Sequence, residues 1–285
     1  MSDAALDAAH RRVALDVAGA GSSFFWAMRL LPEEKRRGLF AVYAFCRVVD
    51  DVADGPGTAA FKAERLGLWR DAVGGTPPPS LRDDPTYLAL ADAARRFDLP
   101  AAELIAVLDG VGMDAAGAIV APSAELLRLY CRRVAGAVGL LVLQVLGRSD
   151  AAALAVALGD AFQRVNILRD LEEDAAGGRL YVPKETLAAA GLGVSDPPAL
   201  LADPGFAAVH AALLQEAEAA FAGADRLWDA TGRRGLRPVA MMTLRYRDLM
   251  ARVRRAGWPR DPALLRPGRL AKAGLLARAL VLPGG

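Results

Sequence analysis

The sequence predicts an all-α fold: a single domain over residues 1–285, built as a helical bundle around a central cavity. Helical periodicity dominates the chain, and no alternating strand pattern persists. Glycine- and proline-rich breakers separate the periodic runs, none long enough to argue for separate domains, and no repeat of fixed period is present. Apolar residues make up 54% of the chain, chiefly Ala and Leu, so a large core is available and disorder is not expected.

The elements follow in order. Leu30-Leu31-Pro32-Glu33-Glu34 reads as the end of one helix and the start of the next, with proline at a tolerated first-turn position. From Pro32 an amphipathic pattern runs through Phe40, Tyr43 and Val48 into Asp54, and Gly55-Pro56-Gly57 stops it. Residues 74–80 form a loop, as do Gly177-Gly178, residues 195–198 and residues 203–205. A further helix is predicted from Ser123 to Leu146. The next starts near Ser149, capped there, and ends at Gly177-Gly178. The stretch from Leu264 to Leu282 mixes leucines with Arg266, Arg269, Lys272 and Arg278. It reads as an amphipathic terminal helix, able to rest on an anionic membrane surface.

Composition excludes several classes. The net charge is only +2 and aromatics are 6%, which does not make the clustered basic, aromatic-interleaved footprint of a nucleic-acid binder. Cys46 and Cys131 stand alone in apolar segments, with no zinc spacing and no disulfide framework, and read as small buried hydrophobes in a reduced compartment. His10 and His210 lack a Glu-x-x-His partner, and neither a dinucleotide fingerprint nor a P-loop occurs. Met1-Ser2-Asp3 leads into no signal-peptide core, and the apolar run 134–146 is short of the roughly 20 residues a bilayer span needs. A cytoplasmic protein is expected, peripheral at most on the inner face of the membrane. Arg252, Arg254 and Arg255 read as a solvated face.

Two acidic stripes carry the chemistry. Asp50, Asp51 and Asp54 follow Arg47, and Asp50 and Asp54 lie one helical turn apart. Asn166, Asp170 and Asp174 make a second such row, which Gln163 extends, while Glu172 and Glu173 read as solvated. Like charges at this spacing repel, and Asp is a poor residue inside a helix. Apolar neighbours such as Ala44, Phe45, Val48 and Val49 suggest that the first row is mostly buried, where carboxylates need a counter-charge or a metal. An oxygen-only ligand set suits Mg²⁺, which keeps waters and completes its shell with substrate phosphates. Arg47, Arg169 and Arg179 are either surface ion-pair partners or ligands for a diphosphate. Residues 179–184, after two glycines, suggest a hinged flap over the site. Ala135, Gly136 and Gly139 leave room either for close helix packing or for a long apolar ligand.

These residues resemble the squalene/phytoene synthase family, the head-to-head prenyl synthases. Residues 22–32 (SSFFWAMRLLP) look like its N-terminal segment, and residues 43–54 are similar to its first aspartate motif. Residues 130–139 match its YCxxVAGxVG signature, and residues 163–174 with 178–183 match its second aspartate motif and flap. Asp109-Gly110-Val111-Gly112-Met113-Asp114 and the Met-Arg-Leu-Leu-Pro segment look most like the bacterial subgroup that makes presqualene diphosphate for hopanoids. Two departures stand out: Ala20-Gly21 replaces a His-Ser pair of some members, and Arg164-Val165 replaces the usual Leu-Thr before Asn166.

The resemblance implies an isoprenoid-synthase helical bundle that condenses two farnesyl diphosphates to presqualene diphosphate. It implies Mg²⁺ on Asp50, Asp51, Asp54, Asn166, Asp170 and Asp174, with the two stripes as sides of one clamp. Tyr130 is the residue expected to assist proton removal. Ser22, Ser23, Phe24, Tyr43, Arg47, Gln163, Arg169, Arg179, Tyr181 and Tyr246 are the expected substrate contacts. Phytoene synthase, NADPH-dependent squalene synthase and a non-catalytic assembly factor are the alternatives, the last disfavoured because the aspartates stand. Oligomeric state and prenyl chain length have no recognisable signature in the chain.

Overall fold

The computed structural model describes residues 3–20, 23–260 and 262–265, and among them helices account for nearly all regular structure. The only strand-like feature among these residues is an isolated parallel bridge between Val120 and Leu180. The chain divides into two compact units, one of residues 1–117 and 133–156, the other of residues 118–132 and 157–285.

The first unit contains α1 (Asp3–Gly19), α2 (Ser23–Arg29), α3 (Glu33–Asp54), α4 (Ala59–Val73), α5 (Pro85–Phe97) and α6 (Ala101–Ala116). Its central helix is α3, which touches each of the other five. The expected boundaries of α3 hold, with Pro32 at its N-cap and Gly55 at its C-cap. Phe45 is fully buried and meets Trp69 of α4 edge-on at 5.6 Å. Burying an aromatic of this size contributes about 1.5–3 kcal/mol, and Leu39, Phe40, Val42 and Val49 are buried on the same helix. Asp84 caps α5, accepting from the Thr86 and Tyr87 amides at 2.8 and 3.0 Å. Asp92 of α5 is buried against His10 of α1 at 3.1 Å and receives Arg95 and Arg96, each at 2.7 Å. The carboxylate is thus paired on three sides.

The predicted helix from Ser123 to Leu146 is broken in register. Ser123 caps α7 (Ala124–Cys131), a π-helical turn spans Arg132–Gly136, and α8 (Ala137–Leu146) continues in the first unit. Gly139 resolves one open alternative: a side chain there would start 3.0 Å from the Ala155 carbonyl, so its absence serves close packing. Lys35 reaches the Leu146 carbonyl at 2.8 Å and satisfies the end of α8. Ser149 does not cap the next helix as expected. It opens a 3₁₀ turn, Ser149–Ala151, and α9 runs from Ala152 to Ala176.

The second unit adds α10 (Lys184–Ala189), α11 (Pro197–Ala202), α12 (Phe206–Thr231) and α13 (Arg237–Ala256), with a 3₁₀ turn at Pro262–Leu265. Its core gathers Val165, Leu168 and Leu171 of α9 with Phe206, Leu213 and Phe221 of α12 and Leu249 and Val253 of α13. Stretches Ala124–Leu146 and Ser149–Ala176 are long and apolar enough to cross a bilayer by composition, unlike the run 134–146 alone. Yet 44% and 50% of their most apolar windows are buried within the protein, as in core helices. Of the expected terminal amphipathic helix, all beyond Leu265 lies outside the described residues.

Candidate active site

The first acidic row occupies the last turn and a half of α3, and it is less buried than its sequence neighbours suggested. Asp50 is part-buried, but Asp51 and Asp54 are exposed, while Ala53 between them stays buried. Arg47 forms an exposed ion pair with Asp51, one turn on, at 3.2 Å. Asp50 has no such relief. Burial pushes its carboxyl up to about 7; the charge of Asp54 adds to this, Arg47 opposes it, and Asp114 and Asp51 raise it further. Asp114 comes from α6, which packs on α3. It belongs to the stretch Asp109–Asp114 quoted above for its resemblance, but only the packing of α6 on α3 makes it a neighbour of Asp50. Lys62 of α4 donates to the Ala53 carbonyl at 2.6 Å and satisfies the α3 terminus beside the acids. Ahead of the row, Phe24 lies 6.2 Å from Tyr43, and Phe25 stacks on Phe40 at 5.7 Å. Ser22 lies outside the described residues. Ser23 begins α2, and its side chain is likewise not described.

The second row sits on α9 in the other unit and is already furnished with cations. Arg169 forks onto its neighbour Asp170 through two bonds of 2.7 and 2.6 Å. Arg179 approaches Asp174 at 3.6 Å. The Asn166 amide donates to the Gln163 side-chain oxygen at 3.2 Å. Tyr246 of α13 stacks on Phe162 at 4.2 Å, and its hydroxyl is pushed up chiefly by burial, with Asn166 opposing the shift. Sequence reasoning missed Arg260, which follows the end of α13 and has a side chain only 3% exposed. It bonds the Leu168 carbonyl and the Glu172 carboxylate, so Glu172, exposed as expected, is also an ion-pair partner. Burial lowers the Arg260 guanidinium to about 10, with Asp170 opposing the shift and Arg169 adding to it. No signal near Pro259 marks this arginine; it meets α9 only through the fold.

The segment after Gly177-Gly178 is anchored by backbone bonds in this structure. Gly178 takes φ +75, a conformation glycine adopts without strain. The Arg179 amide bonds the Asp174 carbonyl at 2.8 Å, and the Leu180 amide bonds the Ile119 carbonyl, also at 2.8 Å. Leu180 in turn accepts from Ala121 at 2.9 Å, and residues 180–183 are buried. Tyr181 stacks on Tyr130 at 5.0 Å, so the two expected substrate-side tyrosines form one buried pair. Arg164, the unusual charge beside Asn166, turns from the row and bridges Asp160 at 2.8 Å and Glu216 at 2.6 Å.

Residues present in the two rows fit a hard divalent cation. The Asn166 side-chain oxygen is buried with no hydrogen-bond partner, an arrangement that costs about 1–3 kcal/mol unless something binds it. It shares its helix face with Asp170 and Asp174. On α3, mutual repulsion around Asp50 likewise calls for positive charge. Among the described residues, no three His, Cys, Asp or Glu side chains converge on one ion position.

Comparison with known proteins agrees with this chemistry. Residues 17–269 match the family model described as squalene/phytoene synthase. A presqualene diphosphate synthase of Sinorhizobium fredii is 40% identical over 290 aligned residues, covering 99% of each chain. One from Rhodopseudomonas palustris is 37% identical, covering 96% of this chain and 97% of the relative. A crystal structure of a dehydrosqualene synthase in complex with ligand superposes with a TM-score of 0.81 at 26% identity, covering 96% of each chain.

Proposed function

The chain belongs to the squalene/phytoene synthase family, and we propose that it condenses two farnesyl diphosphates head to head into presqualene diphosphate. The observation that carries this reading is the pair of acidic rows with the buried, unsatisfied Asn166 oxygen in the second. Magnesium, when bound, would draw charge from the leaving diphosphate; Asp50 and Asp54, with Asp51 beside them, would offer its ligands on the first row, and Asn166, Asp170 and Asp174 on the second. Arg47, Arg169 and Arg179 stand in or beside these rows as the cations for diphosphate oxygens, with Gln163 at the head of the second row.

In the proposed reaction the C1–oxygen bond of the donor breaks, and its electrons leave with the diphosphate. The acceptor's double bond then attacks the allylic cation. Two carbon–carbon bonds form a cyclopropane as one proton is lost, giving presqualene diphosphate, free diphosphate and a proton. Tyr130, buried and stacked on Tyr181, is assigned to assist that proton loss. Phe24, Tyr43 and Tyr246 contribute apolar surface that keeps water from the cation. The single-domain reading of 1–285 belongs to this proposal, since neither unit carries both rows. So do a cytoplasmic location and peripheral contact with the membrane that holds prenyl lipids.

Mass-spectrometric product analysis with farnesyl and geranylgeranyl diphosphates, each with and without NADPH, tests the reading. Presqualene diphosphate from the farnesyl substrate is expected in both conditions. Squalene formed only with NADPH, or phytoene from the longer substrate alone, would overturn the product assignment. Absence of magnesium-dependent diphosphate release would overturn the enzyme itself.

A further inference from the structure

We propose that Arg260 is a positioning residue for the second acidic row, clasping the turn of α9 that carries Arg169 and Asp170. The inference rests on the proposed function, since the row is taken to meet magnesium diphosphate.

The geometry is specific. The guanidinium bonds the carbonyl of Leu168 and the carboxylate of Glu172. Those residues are one helical turn apart, so the clasp encloses Arg169, Asp170 and Leu171. The arginine is itself held in place. Its guanidinium lies 5.9 Å from the Trp258 ring, and Trp258 packs on Phe206 at 4.9 Å and stacks on His210 at 5.5 Å, both on α12. The loop after α13 is therefore anchored to one helix while its side chain grips another.

Stability alone does not require this arrangement. The turn of α9 has its own backbone hydrogen bonds, and an ion pair whose acid is exposed adds little stability. A buried arginine that bonds both a helix carbonyl and a neighbouring acid instead fixes orientation. The sensitivity of Arg260 to the charges of Asp170 and Arg169 shows that it shares their electrostatic environment. Partners one step behind a metal site commonly change affinity or activity about 10–100-fold when removed.

The test uses the full chain and magnesium with inorganic diphosphate as the calorimetric probe, beside steady-state turnover of farnesyl diphosphate. Arg260→Gln is expected to weaken binding of the probe about 10–100-fold and to lower kcat more than it changes KM. Arg260→Lys should recover part of the loss, and Glu172→Gln should fall between wild type and Arg260→Gln. The double variant should be no worse than Arg260→Gln alone, because both residues act through one clasp. Wild-type affinity in Arg260→Gln, or additive losses in the double variant, would overturn the assignment. If Arg260→Gln does not fold, Glu172→Gln decides: unchanged affinity at an unchanged Tm overturns the assignment. A wild-type chain that consumes no farnesyl diphosphate overturns the proposed function. Wild-type turnover with an unaffected Arg260→Gln overturns only this inference.

Discussion

The acidic rows of α3 and α9 share a spacing but differ in their surroundings. On α3, Asp50 is crowded by Asp54, Asp51 and Asp114, and Arg47 spends its charge on Asp51 in solvent. On α9, Asp170 is forked by Arg169, Asp174 has Arg179 nearby, and Arg260 lies beneath the same turn. One row stores repulsion and the other has it neutralised in advance. The same i, i+4 pattern therefore carries two electrostatic states, set by neighbours on the helix itself and from other elements.

The largest test of this contrast is turnover. Asp50→Asn and Asp170→Asn should each lower it by at least about 10²–10³-fold in a steady-state assay, the scale for losing one group aimed at the reacting charge. Near-wild-type product formation by either folded variant would remove that row from the metal assignment.

Stability should separate the rows by sign. In magnesium-free buffer near pH 8, Asp50→Asn is expected to raise the thermal midpoint by a few degrees, the scale of about 1 kcal/mol in a chain of this size. Asp170→Asn strands Arg169 and should lower the midpoint or leave it unchanged. A drop for Asp50→Asn would show that its repulsion is already compensated.

The pH dependence follows from the same carboxyl. Its folded value, about 7, exceeds the ordinary 3.8, so between those limits the folded state holds more protons than the unfolded one and stability falls as pH rises. The advantage of Asp50→Asn over wild type should therefore widen from about pH 4 to 7 and then level off. Asp92 has the opposite sign. Burial would raise it, but the bonds from His10, Arg96 and Arg95 outweigh burial and lower it. Its contribution is present above the ordinary value and is lost as pH falls through the lowered one. Acid denaturation of Asp92→Asn should accordingly lack the part seen in wild type below about pH 4.

The smallest expected effect is that of Arg47→Ala on stability, about 0.2–1 kcal/mol or less by denaturant titration, because its pair with Asp51 is exposed. A substantial loss of turnover in the same variant would show that Arg47 leaves Asp51 for the diphosphate.

Much of the fold was legible because local rules governed it. Pro32 and Gly55 bounded α3, and Gly177-Gly178 followed the end of α9, since these residues limit a helix whatever packs on it. The π turn at Arg132–Gly136 was not legible, because apolar periodicity continues through it. The exposure of Asp51 and Asp54 was misread from apolar neighbours. Residues beside Phe45 and Val49 in sequence point elsewhere on the helix, and in its last turn only Ala53 stays buried between exposed acids. What anchors the flap was not legible, because the backbone bonds of Leu180 come from residues 119–121, some sixty positions earlier.

By itself the sequence determined the helical class, the ends of the main helices, and the two carboxylate rows with their family. Each depends on spacing along one chain segment, which the α-helix converts directly into a face. Tertiary structure added the neighbours that come from other elements. Asp114 reaches Asp50 from α6, Tyr246 reaches Asn166 from α13, and Arg260 grips α9 from a distant loop. Electrostatic energy depends on distance and burial rather than on order in the chain, so no local pattern records it.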